Sequence, residues 1–256
     1  MAESLHERVI VVTGASSGFG LAMSRALIEA GAKVGLIARS ADKLEAACAQ
    51  LGQNSFAVAA DVGDSAAVDR AVAAIAQHFG AIDGLVNNAG MARPGFAEDQ
   101  RDGDIAAQLQ LNIAGLVYCA RAAIPWLKQS ANARIVNVSS ASAEHHDEMA
   151  GLSLYAATKA AVERLSRDMR RELAPAGIGV TILRPGAAMT DFAAGWDFER
   201  LKIAVDAWQQ CGPTMDGGMQ PEHVAQSLLF CLQMPAGVSV DLLEVRPCTP
   251  VEKIRL

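Results

Sequence analysis

Short apolar runs alternate with amphipathic stretches along nearly the whole chain, and this alternation constrains the fold more than any other feature. The runs have the length and composition of buried strands, whereas the stretches between them place apolar residues at helical spacing. Strict alternation of strands and helices predicts a parallel sheet with helices on both faces. We therefore expect an α/β fold, a single doubly wound domain spanning residues 1–256 around a seven-stranded parallel sheet.

The pattern predicts the bounds of these elements, and no linker, repeat or low-complexity block interrupts them. The predicted strands are Arg8–Gly14, Lys33–Arg39, Phe56–Asp61, Ile82–Asn87, Arg134–Ser139, Gly179–Arg184 and Val238–Val245. The predicted helices are Gly18–Ala30, Ala41–Leu51, one from Asp64 or Ser65 to His78, about Asp104–Lys128, one that contains Tyr155 and runs to about Leu173, and Pro221–Gln233.

Composition excludes several classes of function. Just over half of the residues are hydrophobic, enough for a core on both faces of a sheet, and the net charge of −6 argues against a nucleic-acid surface. No apolar run reaches the length that spans a bilayer, and the N-terminus lacks the pattern of a signal peptide. The five cysteines are scattered without metal-ligand spacing, which indicates free thiols and a cytoplasmic location.

One helix pairs a tyrosine with a lysine four residues later, Tyr155 and Lys159. Residues at this spacing share a helix face, and a neighbouring ammonium lowers the pKa of a phenol towards neutrality, which makes it a usable general acid or base. Alone, the pair is equally typical of a solvated helix face. Its occurrence downstream of the glycine-rich turn Thr13–Gly20, a place for a dinucleotide pyrophosphate, indicates hydride transfer.

Polar residues follow several of the predicted strands, and in doubly wound sheets ligands bind outside the carboxyl ends of the strands. Together these segments resemble the short-chain dehydrogenase/reductase family, a Rossmann-fold family, over roughly residues 5–190. The resemblance rests on Thr13-Gly-x-x-x-Gly-x-Gly20, Asn87-Asn-Ala-Gly90, Asn112, Val136-Asn-Val-Ser-Ser140, Tyr155-x-x-x-Lys159 and Pro185-Gly186 with Thr190.

The resemblance implies a nicotinamide dinucleotide bound at these strand ends. The glycines would let the backbone approach the pyrophosphate, Asp61 and Val62 would bind the adenine, and Lys159 would hold the nicotinamide ribose. The full set of implied cofactor-binding residues is Gly14, Ser16, Ser17, Gly18, Phe19, Gly20, Arg39, Asp61, Val62, Asn88, Ala89, Gly90, Tyr155, Lys159, Pro185, Gly186 and Thr190.

The end of the second strand favours NADP(H) over NAD(H). An NAD-specific site places a carboxylate there for the ribose 2′-hydroxyl, but this chain has Ala38 at that position. Arg39 follows and can pair with a 2′-phosphate. The alternative is an arginine that faces solvent at the start of a helix.

The implied catalytic residues are Asn112, Ser140, Tyr155 and Lys159. Tyr155 would exchange a proton with the substrate oxygen, which a serine hydroxyl would orient, and Asn112 would hold a water linked to Lys159. A helix-kinking role is the alternative for Asn112. The serine is ambiguous: Ser142 has the family's usual spacing of thirteen residues before the tyrosine, whereas Ser140 ends the strand; we favour Ser140 and keep Ser142 as a rival.

The remaining segments predict the surroundings of the site. The segment His145–Glu148 is a solvated or substrate-rim loop, and no metal site is expected. Residues of about 190–220 should cover the small-molecule substrate, a hydrophobic or aryl ketone, aldehyde or alcohol. They carry several aromatic and methionine side chains: Phe192, Trp196, Phe198, Trp208, Met215 and Met219. Plain packing or a subunit contact is the alternative role for these side chains.

The predicted assembly is a homo-oligomer, a tetramer or dimer, without nucleic-acid or membrane partners. The predicted activity is that of an NADP(H)-dependent alcohol dehydrogenase or carbonyl reductase. The alternatives are a non-redox enzyme with the same fold and a nucleotide-sensing protein that performs no turnover.

Overall fold

The computed structural model describes residues 3–145, 150–188, 190–193, 195–211 and 218–248, without the side chains of Asp191, Trp208, Gln210 and Cys211. Seven strands lie within these residues: β1 (Val9–Thr13), β2 (Lys33–Ala38), β3 (Ser55–Ala59), β4 (Gly84–Asn87), β5 (Arg134–Val138), β6 (Gly179–Pro185) and β7 (Leu242–Val245). They form one parallel sheet in the order β3-β2-β1-β4-β5-β6-β7. The predicted doubly wound Rossmann fold is confirmed.

The α-helices of the described residues cover both faces of this sheet. They are α1 (Gly18–Glu29), α2 (Ala41–Leu51), α3 (Ser65–Phe79), α4 (Asp102–Leu109), α5 (Gly115–Leu127), α6 (Ser153–Leu173), α7 (Phe198–Cys211) and α8 (Pro221–Leu232). None of them is long and apolar enough to cross a membrane.

Alternating side chains of the strands build two hydrophobic cores. In β1, Ile10 and Val12 point towards α1 and α8, whereas Val9 and Val11 point towards α3 and α5. Side chains of a strand alternate between faces, so a central strand that is covered on both sides must be apolar at every position. Burial of both faces therefore explains why the strand sequences read as continuous apolar runs.

The predicted helix over 104–128 begins earlier and is interrupted. The π turn Gln110–Ala114 separates α4 from α5, and the buried Asn112 lies within it. A π turn inserts one extra residue into a helix and re-aims the side chains around it. The apolar periodicity on either side continues across the turn, so the sequence pattern did not show it.

The last strand and the segment before it also differ from the prediction. Strand β7 begins at Leu242 rather than Val238. Side chains of β5 and β6 bind the carbonyls before it: Arg134 Nη2 donates to Val238 O (2.8 Å) and Thr181 Oγ1 to Val240 O (2.7 Å). Helix α7 was not predicted. It buries Ala204 and Val205, and the part of the chain from 190 to 220 is thus partly helical.

Candidate active site

The strand order reverses at β1, which pairs with β2 on one side and with β4 on the other. The helices that follow β1 and β4 lie on opposite faces of the sheet, so a crevice opens between the carboxyl ends of these two strands. Thr13 closes the floor of this crevice: its Oγ1 accepts hydrogen bonds from the backbone N–H groups of Asn88 and Ala89, each at 3.0 Å. The side-chain amide of Asn88 donates in return to Thr13 O (2.9 Å).

The glycine-rich turn forms one wall of the crevice, and its backbone leaves no room for a side chain at Gly14 and Gly20. Gly14 lies in the left-handed region with φ +65°, and a Cβ on Gly20 would lie 2.1 Å from the carbonyl oxygen of Gly14. Ser17 precedes α1 in an extended conformation without a side-chain cap, and the first turn of the helix carries no acidic residue. Because the first N–H groups of a helix attract anions, this exposed cradle fits a dinucleotide pyrophosphate.

One further predicted residue of the cofactor site lies beside this turn. Thr190 lies next to Gly18, with its Cβ 3.6 Å from the position of a Cβ on that glycine. Pro185 ends β6, and the following Gly186 donates its backbone N–H to Val245 O (2.9 Å), so these two residues lie at the carboxyl end of β6 next to β7. Ser16 lies within the turn, and Phe19 packs its ring against the core beside α1.

The ends of β2 and β3 extend the crevice towards one edge of the sheet. Arg39 follows β2 directly and is exposed, and the structure shows no hydrogen bond or ion pair that occupies its guanidinium among the described residues. Asp61 follows β3, and its Oδ1 accepts the backbone N–H of Gly63 (2.9 Å), while Val62 is buried. The cation of Arg39 and the hydrogen-bonded carboxylate of Asp61 thus lie at the ends of adjacent strands, where the adenosine half of a dinucleotide would lie.

Tyr155 and Lys159 lie on one face of α6 and are both buried, at 9% and 5% exposure. Lys159 Nζ lies 5.8 Å from the centroid of the tyrosine ring and donates to Val138 O (2.8 Å) at the end of β5. Ser140 follows this strand and is hydrogen-bonded to the phenol of Tyr155. The end of β5 and the first turns of α6 therefore meet at the mouth of the crevice.

The two candidate serines have different positions relative to Tyr155. Ser140 Oγ accepts the hydroxyl of Ser142 (2.9 Å) and its backbone N–H (3.3 Å). Ser140 therefore keeps its own hydroxyl hydrogen for Tyr155 or for a substrate oxygen, whereas Ser142 stands behind it and orients it.

Burial dominates the ionisation of this pair. It raises the pKa of Tyr155 to about 12, and the hydrogen bond with Ser140 offsets the rise only in part. Burial also lowers the pKa of Lys159 to about 8. The expectation that Lys159 brings the phenol pKa towards neutrality is wrong, because burial disfavours phenolate and the lysine ammonium is directed at Val138 O. Tyr155 is consequently a neutral phenol, and a proton donor, at pH 7.

Asn112 fixes the backbone beside this pair. Its amide group donates both hydrogens, to Met91 O (2.8 Å) and Thr158 Oγ1 (2.9 Å), while its Oδ1 accepts the N–H of Met91 (2.9 Å). The side chain thus links the end of β4 to α6 from within the π turn, which agrees with the helix-kinking alternative. One lone pair of Oδ1 remains for a water.

A small cavity of about 10 Å³ lies directly below, lined by Asn87, Asn112 and Lys159 among other residues. This volume matches a single water molecule. Asn87 Oδ1 is buried without a partner, and its Nδ2 donates to Asn137 Oδ1 (2.9 Å). A water in this cavity would have polar partners on three sides.

Sequence reasoning missed a buried ionic network next to the site. Glu163, one turn after Lys159, accepts a hydrogen bond from Ser139 Oγ (2.9 Å) and a two-point contact from Arg184 (2.8 and 2.6 Å). Arg184 also pairs with Glu244 (2.8 Å), whose other oxygen lies 2.8 Å from His145 Nε2. The partners are far apart in sequence, and no local motif relates them. The network anchors the end of β5 and the loop that follows it.

The predictions for the loop His145–Glu148 and for residues 190–220 concern some residues that lie outside the described part of the structure. His146, Asp147, Glu148 and Met215 lie outside the described residues, as does the side chain of Trp208. Met219 is buried, and Phe198 is exposed. Among the described residues no group of three or more His, Cys, Asp or Glu side chains is placed to hold a metal ion.

Comparison with known proteins shows to which family the chain belongs. The family model described as short chain dehydrogenase matches residues 8–200. The chain belongs to the short-chain dehydrogenase family. An oxidoreductase of uncharacterised activity from Staphylococcus aureus strain USA300 is 32% identical over 244 residues, which cover 95% of this chain and 98% of that protein.

Two solved structures of the family are similar over almost the whole chain. A 3-ketoacyl-(acyl-carrier-protein) reductase from Brucella melitensis in complex with NADH has a TM-score of 0.83 and 31% identity, covering 96% of this chain and 99% of the other. An alcohol dehydrogenase from the archaeon Thermococcus sibiricus in complex with 5-hydroxy-NADP has a TM-score of 0.81 and 26% identity, covering 95% and 97%. The protein is therefore an oxidoreductase of this family with its Rossmann fold.

Proposed function

We propose that the protein is an NADP(H)-dependent alcohol dehydrogenase or carbonyl reductase that interconverts a ketone or aldehyde with the corresponding alcohol, with Tyr155 as the general acid and base. The observation that carries this proposal is the meeting of a buried phenol, a serine hydroxyl and a lysine ammonium at the mouth of the switch-point crevice. Such a group of donors suits a carbonyl oxygen on which negative charge develops.

The catalytic roles follow from the state of each group. A bound nicotinamide cofactor supplies or accepts the hydride. Tyr155 is protonated at pH 7 and donates to the substrate oxygen during reduction, and Ser140 directs its remaining hydrogen towards the same oxygen. Lys159 places a buried positive charge near the phenolate that forms, and Asn112 holds the backbone and a relay water. In the oxidative direction Tyr155 must first lose its proton, and the phenolate then removes the alcohol proton.

The cofactor would be held by the glycine turn at the pyrophosphate, by Asp61 and Val62 at the adenine, and by Lys159 at the nicotinamide ribose. The free guanidinium of Arg39 supports NADP(H), because a 2′-phosphate at this strand end would meet a cation. Ala38, at the end of β2, offers no carboxylate to repel that phosphate. The complex of the archaeal alcohol dehydrogenase with 5-hydroxy-NADP is consistent with this choice.

The proposed substrate is hydrophobic or aromatic. The ring of Phe192 lies 5.4 Å from that of Tyr155, and Trp196 lies 5.9 Å from Phe192. These rings line the space above the phenol, so residues 190–220 would act as a lid that excludes water from the reacting carbonyl.

We also infer a cytoplasmic homo-oligomer. Among the described residues Cys48, Cys119 and Cys231 form no disulfide, which fits a reducing compartment. Exposed apolar side chains such as Leu109 and Phe230 fit contact with further copies of the chain. A monomer mass in light scattering at micromolar concentration would contradict the oligomer.

The test of the function uses the wild-type protein and the absorbance band of reduced nicotinamide. A panel of aryl and alkyl ketones, aldehydes and alcohols is offered with NADPH, NADH, NADP⁺ or NAD⁺. Oxidation of NADPH by an aryl or alkyl carbonyl is the expected result. Tight NADPH binding without turnover on the whole panel would instead favour a nucleotide-sensing protein.

A further inference from the structure

The indole ring of Trp196 lies in the wall of the proposed substrate site. It packs against a small apolar cluster of Ala92, Leu152 and Tyr155, and Phe192 stands beside it with an interplanar angle of 71°. The wall therefore combines the proposed catalytic phenol with two further aromatic rings. A substrate that presents its carbonyl to Tyr155 would therefore lie beside aromatic rings.

The indole N–H of Trp196 has no partner in the described residues, although its nitrogen is buried. A buried indole N–H normally finds an acceptor, because leaving such a donor unpaired destabilises the folded state. A polar donor in an otherwise apolar wall is the kind of group that fixes the orientation of a ligand. The structure thus provides one unused hydrogen-bond donor within the aromatic wall.

The cations of the neighbouring segments are already paired. Arg93 donates to Ala92 O (3.1 Å) and lies 3.7 Å from Asp104, and Arg200 donates to Pro94 O (3.3 Å) and lies 3.6 Å from the same carboxylate. A substrate carboxylate would have to compete with Asp104 for either arginine. An uncharged oxygen is the better partner for a neutral N–H in this setting.

We infer that the substrate of this oxidoreductase carries a second, uncharged oxygen, such as that of an ester or another ketone, and that Trp196 Nε1–H donates a hydrogen bond to it. This inference rests on the proposed carbonyl-reductase function and deepens it. The second oxygen orients the substrate, so that the reacting carbonyl faces Tyr155 while the rest of the molecule lies along Phe192 and Trp196.

The test compares NADPH oxidation on matched substrates. Ethyl esters of 3-oxobutanoic, 4-oxopentanoic and 5-oxohexanoic acid place the second oxygen at increasing distances from the ketone. Each is paired with an alkyl ketone of equal length, in which methylene groups replace the ester, and with the free keto acid. The variants are Trp196→Phe, which keeps an aromatic ring without a donor, and Phe192→Leu, which alters the wall without changing a donor.

We expect Trp196→Phe to lower kcat/KM for the best keto ester about tenfold, because one neutral hydrogen bond is lost. The same substitution should change kcat/KM for the matched alkyl ketone less than about threefold. Differences in carbonyl reactivity between the substrates cancel, because each variant is compared with wild type on the same substrate. Phe192→Leu should alter both substrates by the same factor. Wild type should prefer the keto ester to the keto acid.

Several results would overturn the inference. Equal losses on ester and ketone would show that Trp196 only packs, and a preference for the keto acid would show that the second group is anionic. If wild type oxidises no NADPH with any carbonyl, the proposed function itself fails and the inference with it. NADPH fluorescence titration checks that the variant still binds cofactor; if Trp196→Phe does not fold, Trp196→Leu supplies the same comparison.

Discussion

Replacement of Arg184 by methionine is expected to destabilise the protein by about 3–5 kcal/mol, the usual result of removing one partner of a buried ion pair. Arg184 and Glu163 have side-chain exposures of 6% and 5% and meet in a two-point contact of 2.8 and 2.6 Å. In the variant, Glu163 keeps only Ser139 Oγ and the mostly exposed Arg167, 3.4 Å away. A desolvated carboxylate would then lack its main partner.

The expected fall in Tm is about 6–20 °C, from about 2–4 °C for each kcal/mol in a domain of this size.

The assay is urea unfolding followed by circular dichroism at pH 8. The double variant Glu163→Leu with Arg184→Met replaces both charges by apolar groups, and should be more stable than Arg184→Met alone. The control is Arg164→Met on the same helix, which removes an exposed contact with Asp168 and should leave the free energy of unfolding nearly unchanged. A loss below about 1 kcal/mol for Arg184→Met, or a double variant less stable than the single one, would refute the reasoning.

The remaining predictions concern the site itself. Arg39→Asp should reverse the preference for NADPH over NADH in steady-state kinetics, whereas Arg70→Asp, the same charge change on an exposed part of α3, should leave it unaltered. Ser140→Ala should lower kcat in steady-state assays by about a hundredfold or more, and Ser142→Ala by less. The reverse order would show that Ser142 orients the substrate oxygen. Lys159→Met should raise the free energy of unfolding at pH 7 by roughly 1–3 kcal/mol, because burial penalises the lysine charge. This gain should shrink as the pH rises from about 8 to 10.5, because over this range the wild-type lysine is neutral in the folded state but still charged in the unfolded state. A gain independent of pH would contradict the lowered pKa of Lys159.

Much of the fold could be predicted from local pattern. Strands that are covered on both faces are apolar throughout, and Asp64 caps α3 through the backbone N–H groups of Ala66 and Ala67, as a short polar residue before a helix suggests. The convergence of strand ends at the crevice follows from the parallel order alone.

Long-range properties could not be predicted in this way. The direction of the Tyr155 pKa depends on burial and on where Lys159 points, which spacing along a helix does not show. The pairing of Glu163 with Arg184 joins α6 to β6 across the fold, and the π turn at Asn112 leaves the apolar periodicity unchanged. Each of these features arises from packing between elements rather than from any one element.

The central claim is that Tyr155 transfers the proton in a reaction of the nicotinamide cofactor. The most direct test measures NADPH oxidation by wild type and Tyr155→Phe with the best carbonyl substrate, while NADPH fluorescence reports cofactor affinity in both. The account predicts a loss in kcat of at least about a hundredfold with NADPH affinity retained, because the variant keeps the ring and lacks the proton donor. A variant that turns over within about threefold of wild type would contradict it.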